Sequence, residues 1–281
     1  MKNKSLIVAL IILGTTLTIV SCSDDSSTSP DSRDITKLFD NTGYHHLDDV
    51  VDNWDIGSLN GIVFLTKEYE KVYSIHTING VTDSTDKEFT SLSLNAGLFD
   101  SNFKPFDTQN FYINEIQLSG SIEGKYEPTK KLVDTDLKFG SGVNLIRIDG
   151  SNKFDQILDS ISLGQAVQIN NFTRGDTISK LSGYILSWSG STSATKAYIS
   201  ISPTDSFQDR LLSDTVISGT SWYQNNTGSV DLTPFIHNIT FPGTYDLTVT
   251  LFEPHYIELS NGKQILIIGE TTHKVSFKLI D

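Results

Sequence analysis

A two-residue alternation of apolar and polar side chains runs through the last part of the chain and limits the folds that it can adopt. Thr244–Leu251 and His273–Ile280 both follow this pattern. Successive side chains of a β-strand point to opposite faces, so each segment has the pattern of a half-buried antiparallel strand. From residue 165 onward no helical periodicity occurs, which disfavours a parallel sheet with crossover helices. The C-terminal half is therefore predicted to be all-β.

Short alternating segments also fill the N-terminal half, from Asn60 to Ile148. Asn79-Gly80 between two of them is a strong hairpin-turn signal. The alternation stops at Asp149–Asn152, and the following residues have no clean period. Several short strands separated by turns are typical of sandwiches and barrels. We predict an all-β protein with two antiparallel β-sandwich domains, an N-terminal domain over residues 58–160 and a C-terminal domain over residues 161–281.

The segment Gly175–Lys180 followed by Tyr184–Ser189 resembles the opening strands of immunoglobulin- or fibronectin-like domains. These domains often carry a tryptophan on a central strand, and Trp188 occupies such a position. The resemblance implies an Ig-like sandwich for the C-terminal domain. The cysteine pair of antibody domains is absent, because the chain contains a single cysteine.

That cysteine, Cys22, ends the segment Ile19-Val20-Ser21-Cys22, which follows two lysines and an apolar run. A charged start, a short apolar core and a small residue before a cleavage site are typical of a secretory signal. The segment resembles the lipobox of bacterial lipoproteins. The resemblance implies cleavage of the signal peptide 1–21, a diacylglycerol thioether on Cys22 and acylation, for example by palmitate, of the new amino terminus. The implied location is the outer membrane of a Gram-negative bacterium, with the lipid as anchor.

Residues 22–33 contain no aliphatic or aromatic side chain after the cysteine, so we expect a disordered tether. Within it, Ser23-Asp24-Asp25 is similar to the short acidic export signal that carries some lipoproteins to the cell surface. Residues 34–57 form a lead-in in which Leu47, Val50, Val51 and Trp54 have the spacing of one helix face. We expect one or two helical turns there, packed on the first domain by Trp54.

The charge and the motifs exclude several classes of function. The net charge of −13 at pH 7 argues against nucleic-acid binding. The sequence has no phosphate-binding loop, no His-Glu-x-x-His motif and no Gly-x-Ser-x-Gly motif. His45-His46 beside Asp48 and Asp49 suggests a metal site, but adjacent histidines point in different directions, and an exposed turn is the preferred interpretation. We therefore predict no enzyme, no catalytic residue, no metal and no cofactor.

One segment has the composition of a binding site. Trp222, Tyr223, Gln224 and Asn225 place two aromatic rings next to amides, in a stretch predicted to be turn-like. Sugar recognition uses a flat aromatic face with hydrogen-bonding groups, and exposed aromatics also bind proteins. The alternative is that one ring fills the end of the sandwich. His255-Tyr256 after Pro254 is a second candidate of lower weight.

The leading hypothesis is a non-catalytic binding or adhesion module, held at the membrane by lipid, with a glycan or protein ligand. The layout is similar to that of outer-membrane surface lipoproteins, which include glycan binders and fimbrial subunits. A structural subunit of a pilus-like assembly is the alternative, with Arg33 as a candidate processing site. A carbohydrate-active hydrolase is the third hypothesis.

The export signal predicts that the protein faces the medium. Protease added to intact cells should degrade it as fast as it degrades a known surface protein, because no membrane would separate the two. A periplasmic lipoprotein serves as the control and should stay intact. Protection of the chain until the outer membrane is opened would contradict surface display.

Overall fold

The computed structural model describes residues 47–53, 55–78, 81–100, 104, 108, 110–120, 124–152, 154–204 and 219–281, without the side chains of residues 47, 48, 56 and 71–88. The predicted signal peptide, the tether and the metal hypothesis at His45-His46 lie outside these residues. Trp54, the predicted contact of the lead-in, also lies outside them.

The described part consists of strands joined by turns, with two short α-helices. The helices are α1 (Leu47–Val50) and α2 (Thr233–His237), and a 3-10 turn covers Ile56–Ser58. The strands are β1 (Leu59–Ile78), β2 (Val81–Leu98), β3 (Phe111–Ile113), β4 (Ile116–Gly120), β5 (Lys125–Pro128), β6 (Asn144–Ile148), β7 (Ile157–Ile161), β8 (Gln168–Ile169), β9 (Thr177–Ser179), β10 (Ile185–Ser189), β11 (Lys196–Pro203), β12 (Thr220–Asn225), β13 (Ser229–Asp231), β14 (Gly243–Glu258) and β15 (Gln264–Ile280). The prediction of an all-β protein is confirmed.

A single large sheet joins the two halves of the chain. Its strand order is β12-β11-β14-β15-β1-β2-β5-β4-β3-β6-β7, with β9 paired to β15 beside this path. Strand β1 pairs with β15 in parallel from Leu59 to Lys71, so the first strand of the described chain is bonded to the last. Parallel neighbours need a long connection, and here almost the whole chain supplies it. The predicted domain boundary after residue 160 stays a prediction, although strands from both sides of it share this sheet.

The N-terminal part of the sheet has its own hydrophobic core. The inward side chains of β1 to β7 form one cluster with residues from the end of β14 and the start of β15. Phe111 and Ile146, both with no exposed surface, lie near its centre. The backbone N–H of Asp155, which precedes β7, donates to Ser260 Oγ, which follows β14, at 3.1 Å. The predicted N-terminal sandwich domain stays a prediction.

The C-terminal part is an Ig-like sandwich. Strands β8, β10 and β13 form a three-stranded sheet, while β11, β14 and β15 are neighbours in the large sheet. Strands β8, β10 and β13 correspond to strands A, B and E of an Ig domain, and strands β11, β14 and β15 correspond to strands C, F and G. Tyr245 at the start of β14 donates its hydroxyl to the carbonyl of Phe241 at 2.7 Å, as in the tyrosine corner of that fold. Burial raises the pKa of Tyr245 to about 12, which keeps this donor protonated.

Trp188 lies on β10 and is 4% exposed, so its predicted place in the sandwich core is correct. A third cluster covers the opposite face of the large sheet. Val50 and Val51 from the lead-in pack there against residues including Phe64 and Phe252. The lead-in therefore contains the predicted short helix, and its two valines bury an apolar patch of the sheet.

Three glycines allow a close approach where the two halves meet. A Cβ atom on Gly164 would lie 2.1 Å from Ser191 Oγ, one on Gly190 would lie 2.6 Å from Leu251 Cδ1, and one on Gly269 would lie 2.6 Å from Leu163 Cδ2. Contacts under 3.0 Å force the neighbours to shift, and packed interiors resist such shifts. Small residues are thus required at this junction.

Gly164→Ala should destabilise the protein by about 2 kcal/mol, because the added methyl group overpacks the contact with Ser191. Urea unfolding followed by tryptophan fluorescence measures the change. Gly183→Ala is the matched control, since a Cβ there would come no closer than 3.6 Å, to Thr233 Oγ1. Equal stability of the two variants would show that the junction can relax.

Candidate functional site

The predicted binding residues Trp222, Tyr223, Gln224 and Asn225 all lie on strand β12. The strand pairs with β11 from Thr220 to Asn225 and is the end strand of the large sheet in the described part of the chain. The expectation of a turn was wrong, because six residues here continue the hydrogen-bond ladder of the sheet. Since neighbouring strand residues face opposite sides, Trp222 and Tyr223 cannot form one aromatic platform.

Trp222 and Gln224 lie on the side of the sandwich core. The indole ring stacks on Phe235 with a centroid distance of 3.6 Å and an interplanar angle of 2°. Its Nε1 donates to Gln224 Oε1 at 3.3 Å. Trp222 is half-buried and packs against the C-terminal core. Phe235 on helix α2 occupies one face of the indole, so this side matches the alternative in which an aromatic ring closes the end of the sandwich.

Tyr223 and Asn225 lie on the other side of β12, beside two residues of β11. The rings of Tyr223 and Tyr198 are 4.9 Å apart and tilted by 44°. Asn225 Oδ1 accepts a hydrogen bond from Lys196 Nζ at 3.0 Å. The same ammonium lies 2.9 Å from Asp52 of the lead-in. Two half-buried aromatic rings thus adjoin an amide and an ion pair.

We name Tyr198, Tyr223, Asn225, Lys196 and Asp52 the tyrosine site. Aromatic rings bury large contact areas, while amides and charges fix the orientation of a ligand. Sequence analysis found Tyr223 and Asn225 but missed Tyr198 and Lys196, which are close only because β11 pairs with β12. Asp52 belongs to the lead-in. No local pattern in the sequence connects it to Lys196.

The other candidate residues have different outcomes. Cys22 lies outside the described residues, and its lipidation stays a prediction. His255 and Tyr256 belong to strand β14 and not to an exposed loop. Within the described ranges no group of three or more His, Cys, Asp or Glu side chains could hold a metal ion. No helix among the described residues is long and apolar enough to cross a bilayer.

A buried carboxylate lies at the junction of the two halves. Glu253 on β14 is 5% exposed. Its Oε2 accepts hydrogen bonds from Ser191 Oγ at 2.6 Å and from the backbone N–H of Gly164 at 2.9 Å. Its Oε1 lies 3.1 Å from His255 Nε2. Glu253 therefore connects strand β14 to the segment between the two halves and to the loop before β11.

The donors around Glu253 favour its charged form. Burial alone raises the pKa of this carboxyl, but the hydrogen bonds from His255, Ser191 and Gly164 outweigh it, so the pKa lies below its ordinary value. Ser191 donates to the carboxylate and not to His255, which differs from the serine–histidine contact that activates a nucleophile. The arrangement is therefore structural, and it connects three segments of the chain by hydrogen bonds.

Glu253→Gln should lower the free energy of unfolding at pH 7 by about 2 to 3 kcal/mol, because the neutral amide removes the charge of the acceptor and puts a donating NH2 group in place of one accepting oxygen. Since the folded-state pKa is depressed, the wild type has this stabilisation in full above the ordinary glutamate value of about 4.3 and loses it as the pH falls through the folded value. Urea unfolding between neutral and acidic pH should therefore show the two proteins converging in acid.

Glu258→Gln is the matched control, since Glu258 is exposed on the same strand. Its stability should follow the wild type at every pH. A constant difference between wild type and Glu253→Gln across the pH range would contradict the proposed role of the carboxylate charge.

Comparisons with known proteins give no family. No family model and no curated protein matches the chain. Solved structures that align with it include Dpr11 IG1 bound to DIP-gamma IG+IG2 and DIP-gamma IG1+IG2, each at 11% identity. The alignments cover 78% of this chain, and 96% and 95% of those chains. The TM-scores are 0.20 and 0.18, too low to support an inference about function.

Proposed function

We propose that the protein is a lipid-anchored component of the bacterial cell envelope that binds a glycan or protein ligand at the tyrosine site and does no catalysis. The lipobox-like segment Ile19–Cys22 supports the anchor and the outer membrane as its location. The acidic triplet after Cys22 supports exposure at the cell surface.

One observation carries the binding proposal. On strand β12, the Tyr223 ring lies 4.9 Å from the Tyr198 ring and next to the Asn225–Lys196–Asp52 chain of contacts. Both rings pack against the cluster under the lead-in and stay partly exposed beside hydrogen-bonding groups. A sugar ring or a protein side chain can pack on such rings while its polar groups contact the amide and the charges.

The alternative proposal, a structural subunit of a surface assembly, has support from a different feature of the same strand. In the described part of the sheet, β12 is an end strand, and end strands present backbone groups to which another chain can pair. This assembly would depend on the backbone of β12 and would tolerate changes of Tyr223.

We expect the full chain, extracted in detergent, to bind glycan or host-protein arrays in a saturable manner. Tyr223→Ala should weaken binding at least about tenfold, because it removes a ring from a contact where single aromatics carry much of the energy. Trp222→Ala, the adjacent residue on the opposite face, is the matched control and should bind as the wild type does. Urea unfolding of both variants verifies that each is folded.

Other outcomes discriminate between the hypotheses. Loss of binding only in Trp222→Ala would move the site to the core side of β12. Absence of binding by the wild type would contradict the hypothesis of a binding module. Concentration-dependent polymerisation in the same preparation would then favour the hypothesis of a structural subunit.

A further inference from the structure

A groove borders strand β2, on a side of the sheet far from β12. Strand β2 pairs with β1 along its whole length, from Val81 to Leu98. On its other side it pairs with β5 only at Ala96 and Gly97. Among the described residues no strand continues this pairing along residues 81–95. A long stretch of β2 thus has one hydrogen-bonding edge that no described strand occupies.

The chain itself keeps β5 away from this edge. After Tyr126 the strand continues through Glu127 and Pro128, which pair with β4. Proline has no backbone N–H and cannot extend a ladder toward β2. The two strands therefore separate, and a groove of about 270 Å³ opens between Leu92–Asn95 of β2 and Glu127–Leu132.

The outer wall of the groove carries two lysines, in a protein with a net charge of −13. Lys130 and Lys131 line it and are exposed, with Glu127 as the one acidic lining residue. Lys130 also lies 2.9 Å from Asp136. No ion pair is recorded for Lys131 within the described ranges. Leu92 and Leu132 supply an apolar floor, since both pack against the N-terminal core.

We propose that this groove binds an extended peptide segment carrying carboxylates, which adds to β2 as a new strand. The edge of β2 offers backbone donors and acceptors, which another polypeptide backbone can satisfy at every second residue. Leu92 and Leu132 accommodate apolar side chains, and Lys130 and Lys131 pair with acidic ones. A backbone ladder selects a peptide over an acidic polysaccharide. This inference does not depend on the function proposed for β12.

The test uses the full chain in detergent and three short fluorescent peptides that alternate valine with aspartate, asparagine or lysine. Fluorescence polarisation should show saturable binding of the aspartate peptide only, weakening as ionic strength rises. A copy of that peptide with N-methylated amides should not bind, because it cannot donate to the edge of β2. Equal binding of the three peptides would overturn the proposal.

Lys131→Glu should weaken binding of the aspartate peptide at least about fivefold, since it replaces an attractive charge by a repulsive one. Lys278→Glu makes the same change at an exposed position of β15 and should leave binding unchanged. Equal effects of the two variants would show that binding depends only on the overall charge of the protein, and would overturn the proposed site. Binding of polygalacturonate that competes with the peptide, together with binding of the N-methylated copy, would also overturn strand addition.

Discussion

The architecture depends on the hydrogen-bonded ladder between β1 and β15, strands from opposite ends of the described chain. One face of β15 contributes Ile265 and Ile267 to the N-terminal core, and then Val275 and Phe277 to the sandwich core. Its other face contributes Leu266 and Ile268 to the cluster under the lead-in. A seventeen-residue strand that is buried on both sides over most of its length thus serves three cores at once.

Because β15 contributes to both cores, the backbone groups at the point where the two cores meet need hydrogen-bond partners. Between them the face of β15 carries Gly269 and Thr271, and the latter accepts a hydrogen bond from the backbone N–H of Val167 at 3.1 Å. Glu253 on the neighbouring strand binds Gly164 and Ser191. Buried backbone groups must have partners, and here Glu253 of β14 and Thr271 of β15 accept from the backbone N–H groups of Gly164 and Val167. Glycines and polar side chains thereby stabilise the junction, whereas apolar packing stabilises the cores.

The surface follows from the same arrangement. Strand β12 is the end strand of the large sheet within the described residues. Because its side chains alternate, Trp222 is turned to the sandwich core and Tyr223 is turned to Tyr198. The groove lies beside β2 where its pairing with β5 ends, next to Pro128, which has no backbone N–H to donate. Within the described residues, both proposed interaction surfaces lie where the hydrogen-bond ladder of the sheet stops, and each has a composition suited to a different ligand.

The sequence by itself determined the all-β class, most strands of the Ig-like half, the burial of Trp188 and the small helix of the lead-in. These features depend on local alternation and spacing, which a single strand or turn expresses without its neighbours. Only the tertiary structure decided that strands from both halves share one sheet, that Trp222 and Tyr223 face opposite sides, and that Asp52 meets Lys196. Pairing between residues as distant as Leu59 and Gln264 leaves no local pattern, because its free energy comes from contacts that exist only once the chain has folded.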